Sequence, residues 1–276
     1  MGKIIWLASY PKSGNTWMRA FLHNLLRNPN DAYDINQMTD FSTSDSTILW
    51  YQKLDKRPWR DWSYEDVGAM RWDVQRMITQ TSPDNVFTKT HNAMIEFRGK
   101  PLIHMDWTAG GIYIVRNPLD VCISLSHHYG CSIDEAIRIL NDPTNGTVGN
   151  DVIVYEVHKS WSIHVHSWTK VENPGLMAVR YEDMLTRPMA VFNKVSQFLG
   201  LNAPRQRVER AVELSSFDSL RKQEDKRGFR ERSNKTDKFF RVGKSGQWRD
   251  LLTQAQIDRV VEANKVQMQR YGYWPF

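Results

Sequence analysis

The sequence predicts an α/β fold, a P-loop-type parallel β-sheet flanked by helices on both faces. Three observations lead there. Short apolar runs alternate with longer segments of helical period along the chain. The first apolar run, residues 3–8, passes through a loop of small residues straight into a helix, an arrangement that binds anions. Pro118, a residue suited to the first turn of a helix, follows directly behind another apolar run.

Residues 3–8 read as a buried strand. Residues 16–27 read as a helix, because Trp17, Phe21 and Leu25, then Met18, Leu22 and Leu26, recur at helical spacing on adjoining faces. Residues 28–62 are polar and turn-rich, with Trp50, Trp59 and Trp62 among them. Ser63 and Asp66 have capping-box spacing for a helix reaching about residue 80. Residues 86–90 and 111–115 read as strands, and Pro118 opens a helix to about Tyr129. The pattern predicts one long helical stretch over residues 151–171. Residues 176–181 read as a strand, and residues 188–199 as a helix that Gly200 ends. Thr253 with Gln256 caps a last helix reaching Arg270. No repeat, low-complexity tract or linker divides the chain, so residues 1–276 are expected to form a single domain.

Composition narrows the function. With 41% hydrophobic and 25% charged residues, collagen-like and wholly disordered classes are excluded. The only cysteines are Cys122 and Cys131, too few for a disulfide scaffold or a four-cysteine zinc site. His164 and His166 at i, i+2 do not share a helix face, and no metal is expected. No apolar run approaches a membrane span, and the opening apolar run is too short for a signal-peptide core. A cytoplasmic protein with no membrane partner is expected. The net charge of +6 is local: residues 221–244 hold ten Lys/Arg against four Asp/Glu, and the rest of the chain balances. Such a segment suits an anionic ligand at one place, or is simply a solvated charged loop. Its charge is too dense to bury, so it is expected to be mobile without ligand.

The loop over residues 8–17 is the first candidate site. Small residues let backbone N–H groups face inward, and the helix start adds its positive end. The NTPase pattern G-x-x-x-x-G-K-[ST] is not met, because the lysine, Lys12, precedes Ser13-Gly14 instead of following the glycine. By itself, Lys-Ser-Gly is equally an ordinary strand-to-helix turn.

Further along, the motifs add up. Tyr10-Pro11-Lys12-Ser13-Gly14-Asn15-Thr16-Trp17 resembles the phosphosulfate loop Y-P-K-S-G-T-T-W of sulfotransferases that use 3′-phosphoadenosine 5′-phosphosulfate (PAPS). Lys89-Thr90-His91 is similar to that family's K-T-H. Arg116-Asn117-Pro118-Leu119-Asp120, with Ser124, is similar to its R-N-P-x-D-x-x-x-S. Tyr181-Glu182-Asp183, Ser215-Ser216-Phe217 and residues 241–248 resemble its Y-E-D, T-S-F and R-K-G-x-x-G-x-W. The six landmarks come in the family's order over nearly the whole chain. Length and a Ser-Trp-rich helix near residues 160–168 look most like the small bacterial members. Asn15 stands for a threonine and Val242 for a lysine. Gln254 stands for the apolar valine of the dimer motif in animal members, so no oligomeric state is implied.

The resemblance implies transfer of a sulfuryl group from PAPS, leaving PAP, to a hydroxyl of a small-molecule or natural-product acceptor. It implies no metal and no nucleic-acid partner. It assigns catalysis to His91, Lys12, Lys89 and Ser124. Donor binding would fall to Lys12, Ser13, Gly14, Asn15, Thr16, Trp17, Arg116, Ser124, Tyr181, Ser215, Phe217, Arg241, Val242 and Gly243. The chemistry agrees. A cation beside the departing phosphate stabilises developing charge, and a histidine near neutral pKa suits a base. A guanidinium fork suits the 3′-phosphate, although Arg116 could instead pair with Asp120. Two other readings are a P-loop kinase or NTPase, and a nucleic-acid-binding module built on residues 221–244. The acceptor is not legible: Trp50, Trp59, Trp62 and Trp72 could wall it or belong to the core.

Overall fold

The computed structural model describes residues 2–276. At its centre β1 (Ile4–Ser9) lies in a five-stranded parallel sheet with β2 (Ser42–Ser44), β3 (Val86–Thr90), β4 (Thr108–Val115) and β5 (Leu176–Arg180), in the order β2-β3-β1-β4-β5. The helices are α1 (Asn15–Arg27), α2 (Tyr64–Thr79), α3 (Pro118–Tyr129), α4 (Ile133–Asn141), α5 (Trp161–Thr169), α6 (Tyr181–Thr186), α7 (Pro188–Phe198), α8 (Arg205–Leu214), α9 (Phe217–Arg227) and α10 (Gln254–Arg270). Single α-helical turns lie at Ile48–Tyr51 and Trp248–Leu251, and 3-10 helices at Ile35–Asp40, Trp59–Asp61 and Met105–Trp107.

The central strands are apolar on both sides because both sides are covered. From β1, Ile4, Trp6 and Ala8 enter one core with side chains of α2, α3, α4, α5 and α10. Leu7 enters the other, with α1, α6, α7 and α8. Along β4, Tyr113 and Val115 join the first core, Ile112 and Ile114 the second. That period-two alternation is how a strand serves two faces. Among the described residues, no helix is long and apolar enough to cross a membrane.

Two expectations are corrected. Residues 151–171 are not one helix. Ile153 bridges Thr47, and Glu156–Val157 pairs with Gly146–Thr147 in a short antiparallel hairpin. Lys159 then takes a positive φ of 61°, and Ser160 accepts a hydrogen bond from the Ile163 amide to start α5. The run Val152-Ile153-Val154-Tyr155 is β-branched and aromatic, which favours extended chain. The basic segment is also more embedded than its charge suggested. α9 takes its first part, and the remainder folds back over it. The Glu224 carboxylate accepts from the amides of Phe239 and Phe240 at 2.7 and 2.8 Å. Phe229 and Phe240 are buried in a third core with Ala20, Ile35, Met38 and Leu220. Three phenylalanines hold the segment down while its cations stay at the surface.

Candidate active site

Four parallel strands each release a chemically active residue just past their carboxyl ends. β1 leads into the loop holding Lys12, β3 to His91, β4 to Arg116 and β5 to Tyr181. Parallel strands in register end at one edge, so these residues converge there. They line a cavity of about 430 Å³. Lys12, Gly14, Asn15, Thr16, Trp17, Lys89, His91, Arg116, Ser124, Tyr181, Phe217, Arg241, Val242 and Gly243 all face it. Two expected residues do not. The Ser215 hydroxyl donates back to the Ala211 and Val212 carbonyls inside the α8 end, and Ser13 is buried with its hydroxyl unpaired. Nor do Trp50, Trp59, Trp62 or Trp72 line it. Trp50 and Trp59 donate to Thr43 and Asp151, while Trp72 packs edge-on against Trp107.

The loop after β1 is held open by unusual backbone. Lys12 has φ 68° and Gly14 has φ 105°. A Cβ at Gly14 would stand 2.6 Å from the Tyr181 ring, so only glycine fits. Asn15 does more than replace a threonine: its Nδ2 donates to the Leu7 carbonyl at 2.8 Å and staples α1 to β1. Arg116 braces the site from the next strand. Its guanidinium donates to the Lys12 carbonyl at 3.0 Å and the Lys244 carbonyl at 3.4 Å, and lies 4.3 Å from the centre of the Tyr181 ring. It does not pair with Asp120, whose carboxylate accepts from the Gly246 and Trp248 amides. Gly243 lies against Phe217, where a Cβ would approach the ring to 2.3 Å. Nε of Arg116, Nε1 of Trp17, Oγ of Ser13 and Oδ1 of Asn15 are buried with no protein partner. The two donors among them on cavity-lining residues, Arg116 Nε and Trp17 Nε1, together with Lys12 and Arg241, suit an anionic, phosphorylated ligand.

Burial, with Arg116 and Lys89 adding repulsion, lowers Lys12 to a pKa of about 7. Its ammonium lies 4.0 Å from the Phe239 ring centre. Burial, reinforced by the Lys89 charge, lowers His91 to about 3, so its imidazole is neutral. Nδ1 of His91 lies 2.8 Å from the Ser9 carbonyl, an acceptor, so Nδ1 carries the proton. Nε2 is left with its lone pair, as a base requires.

The sequence pointed to His91 and Arg116 but not to what aims them. α5 does. His164 Nε2 donates to the His91 carbonyl at 3.1 Å, and Trp168 donates to the Asn92 carbonyl at 3.0 Å. Trp161 donates to the Arg116 carbonyl at 3.1 Å. One helix therefore holds the turns after β3 and β4. Two carboxylates at the cavity were also missed. Glu231 bridges Arg19 at 2.6 Å and Lys89 at 3.5 Å. Burial alone would raise Glu231, but those two cations hold it down at about 2. Glu156 comes from the hairpin misread as helix; Ser160 as a helix-capping residue was the signal that could have separated the two. Among the described residues, no three His, Cys, Asp or Glu side chains cluster as a metal site.

Comparison with known proteins agrees with this geometry. The sulfotransferase domain profile matches residues 3–272. Cytosolic sulfotransferase 13 of Arabidopsis thaliana is 26% identical over 278 residues, covering 94% of this chain and 75% of that protein. Sulfotransferase 2A2 of Mus musculus is 24% identical, covering 91% and 79%. A retinol dehydratase solved with androsterone and the inactive cofactor PAP shares the fold, with TM-score 0.67 and 18% identity over 96% of this chain and 80% of that one. A domain match over almost the full length, on a sheet edge that gathers the matching motifs, has one meaning: the chain belongs to the sulfotransferase family and is an enzyme of that class.

Proposed function

We propose that residues 1–276 act as one cytoplasmic sulfotransferase unit that moves the sulfuryl group of PAPS to a hydroxyl of a small-molecule acceptor. The convergence of Lys12, Lys89, His91, Arg116 and Ser124 on one cavity carries this reading. The similar fold solved with PAP and androsterone supports the donor and the size of the acceptor, and the relative named cytosolic supports the compartment.

In this reading Nε2 of His91 takes the acceptor proton as the hydroxyl oxygen attacks sulfur. The bond from sulfur to the bridging phosphate oxygen breaks, and Lys12 stabilises the charge that develops there. The Ser13–Thr16 backbone holds the 5′-phosphate, and Lys89 steadies the sulfuryl oxygens. Arg116, Ser124 and Arg241 hold the 3′-phosphate, with Val242 and Gly243 beside it. Trp17, Tyr181, Phe217 and neighbouring Ser215 enclose the adenine. The misplaced lysine of the loop argues against a kinase, and cations gathered in one cavity rather than spread over a broad face argue against a nucleic-acid groove. A thermal-shift series tests the donor. PAP should stabilise the protein, by roughly 2.7 kcal/mol at a hundred times its Kd, and AMP far less. Greater stabilisation by ATP with magnesium than by PAP would overturn the reading.

A further inference from the structure

Three carboxylates line the cavity: Asp120, Glu156 and Glu231. Asp120 is occupied by two backbone amides, at 2.6 and 3.2 Å. Glu231 is occupied by two cations, Arg19 and Lys89. Glu156 is different. It is 7% exposed, and its one side-chain contact is a long hydrogen bond, 3.4 Å, from His158 Nε2 to Oε2. Among the described residues no lysine or arginine lies within ion-pair distance of it, and Oε1 has no hydrogen-bond partner. That free oxygen opens onto the cavity, where water or the donors of a ligand can complete it.

Its position relative to the chemistry is fixed by backbone. The Val157 amide donates to Asn92 Oδ1 at 2.9 Å, and the Ala93 amide donates to the Val157 carbonyl at 2.8 Å. Glu156 thus stands beside the turn that carries His91. Directly across the hairpin from it, Thr147 lines the same wall, with its hydroxyl unpaired. Burial alone would raise the Glu156 carboxyl, but the hydrogen bond from His158 and the charge of Lys89 bring it down, to about 2.

We propose that Glu156 selects the acceptor: its free carboxylate oxygen receives the ammonium group of an acceptor that bears both an amine and the hydroxyl to be sulfated. This rests on the sulfotransferase reading and narrows its substrate class. An ammonium matches a lone buried carboxylate in charge and supplies N–H donors for Oε1 and the Thr147 hydroxyl. A wholly apolar alcohol would leave the carboxylate dry and unpaired beside it.

The test compares matched acceptors with PAPS as donor: tyramine, 4-ethylphenol, which lacks the amine, and 4-hydroxyphenylpropionate, which carries a carboxylate instead. The wild-type enzyme should favour tyramine over 4-ethylphenol by about tenfold or more in kcat/KM, and disfavour the acid further. The isosteric Glu156→Gln should collapse the tyramine preference, chiefly through KM, while Glu156→Asp keeps part of it. A thermal shift with PAP confirms that each variant is folded. Equal or absent turnover of tyramine and 4-ethylphenol by an enzyme that PAP stabilises would overturn the proposal. So would a Glu156→Gln variant that loses kcat equally on both, the result expected if Glu156 only steadied His91. Failure of PAP to stabilise the wild-type protein would instead overturn the sulfotransferase reading beneath it.

Discussion

The two ends of the cavity are built in opposite ways. At one end Lys12 and Arg116 stand on loops that leave the sheet within three residues of a strand end, and Arg241 adds its charge from the segment after α9. At the other, Glu156 and His158 come from an irregular segment outside the central sheet, and Ile153, Tyr129 and Asn150 share that wall. The first end is set by the rigid sheet and is over-braced: Arg116 alone ties the Lys12 loop to Lys244. The second lies outside the sheet and is tied to it by hydrogen bonds from the Ala93 amide to the Val157 carbonyl, from the Val157 amide to Asn92 Oδ1 and from the Val154 amide to the Ser46 carbonyl. The contrast suits a transferase whose donor is invariant and whose acceptor is the feature that distinguishes one enzyme from another.

The largest effect should come where the two ends meet. His91→Ala is expected to lower turnover by about 10²-fold or more while leaving PAP stabilisation intact. Steady-state kinetics and thermal shift on one preparation check this; near-normal turnover would move the base to another residue, His128 and His158 being the other histidines that line the cavity. Arg116→Ala should do the reverse and strike the donor end, weakening PAP by roughly 10- to 100-fold through loss of charge-assisted hydrogen bonds. Titration calorimetry reads it, and unchanged PAP affinity would mean Arg116 is only a brace.

A smaller effect follows from Lys12. Its pKa near 7 in the free enzyme means that at pH 8 most molecules carry a neutral Lys12, yet phosphate binds the ammonium. PAP binding should therefore take up a proton and weaken as pH rises above 7, by up to about tenfold per pH unit. Calorimetry in buffers of different ionisation enthalpy measures the uptake, and Lys12→Ala should abolish it. The smallest effect is on stability. His164→Phe leaves the Tyr113 hydroxyl and the His91 carbonyl unpaired, at about 1–3 kcal/mol each, so Tm should fall by several degrees. Acid sharpens the point. Burial lowers His91 and His164 to about 3, so the unfolded chain binds more protons than the folded one below pH 6.5. Stability should therefore be lost as pH falls from about 6.5 towards 3, and less steeply in His164→Phe.

The donor end was legible because its signals are local. A lysine before Ser-Gly, a proline after Arg-Asn and a tryptophan on the next turn each lie within a few residues of the strand they follow. The other end was not. The run Val152-Ile153-Val154-Tyr155 was read with the helix behind it, which hid Glu156 and His158 in a supposed helix. In the basic segment charge pointed to a loop free without ligand; only the core that Phe229 and Phe240 share with α1 and α9 shows how the segment is held down.

By itself the sequence determined the alternation of strands and helices, the sheet with two buried faces and the identity of the residues past each strand end. The first two follow from periodicity and from capping and turn chemistry, which act over a few residues; the residues past the strand ends stood out only by their resemblance to the sulfotransferase motifs. The tertiary structure decided what those residues touch. That Arg116 braces the Lys12 loop rather than pairing with Asp120, that one face of α5 aims both His91 and Arg116, and that Glu156 alone among the cavity's acids keeps a free oxygen all depend on contacts between segments 45 or more residues apart. A side chain's partners are set by which segments the sheet brings to the same edge, and no local pattern encodes that distance.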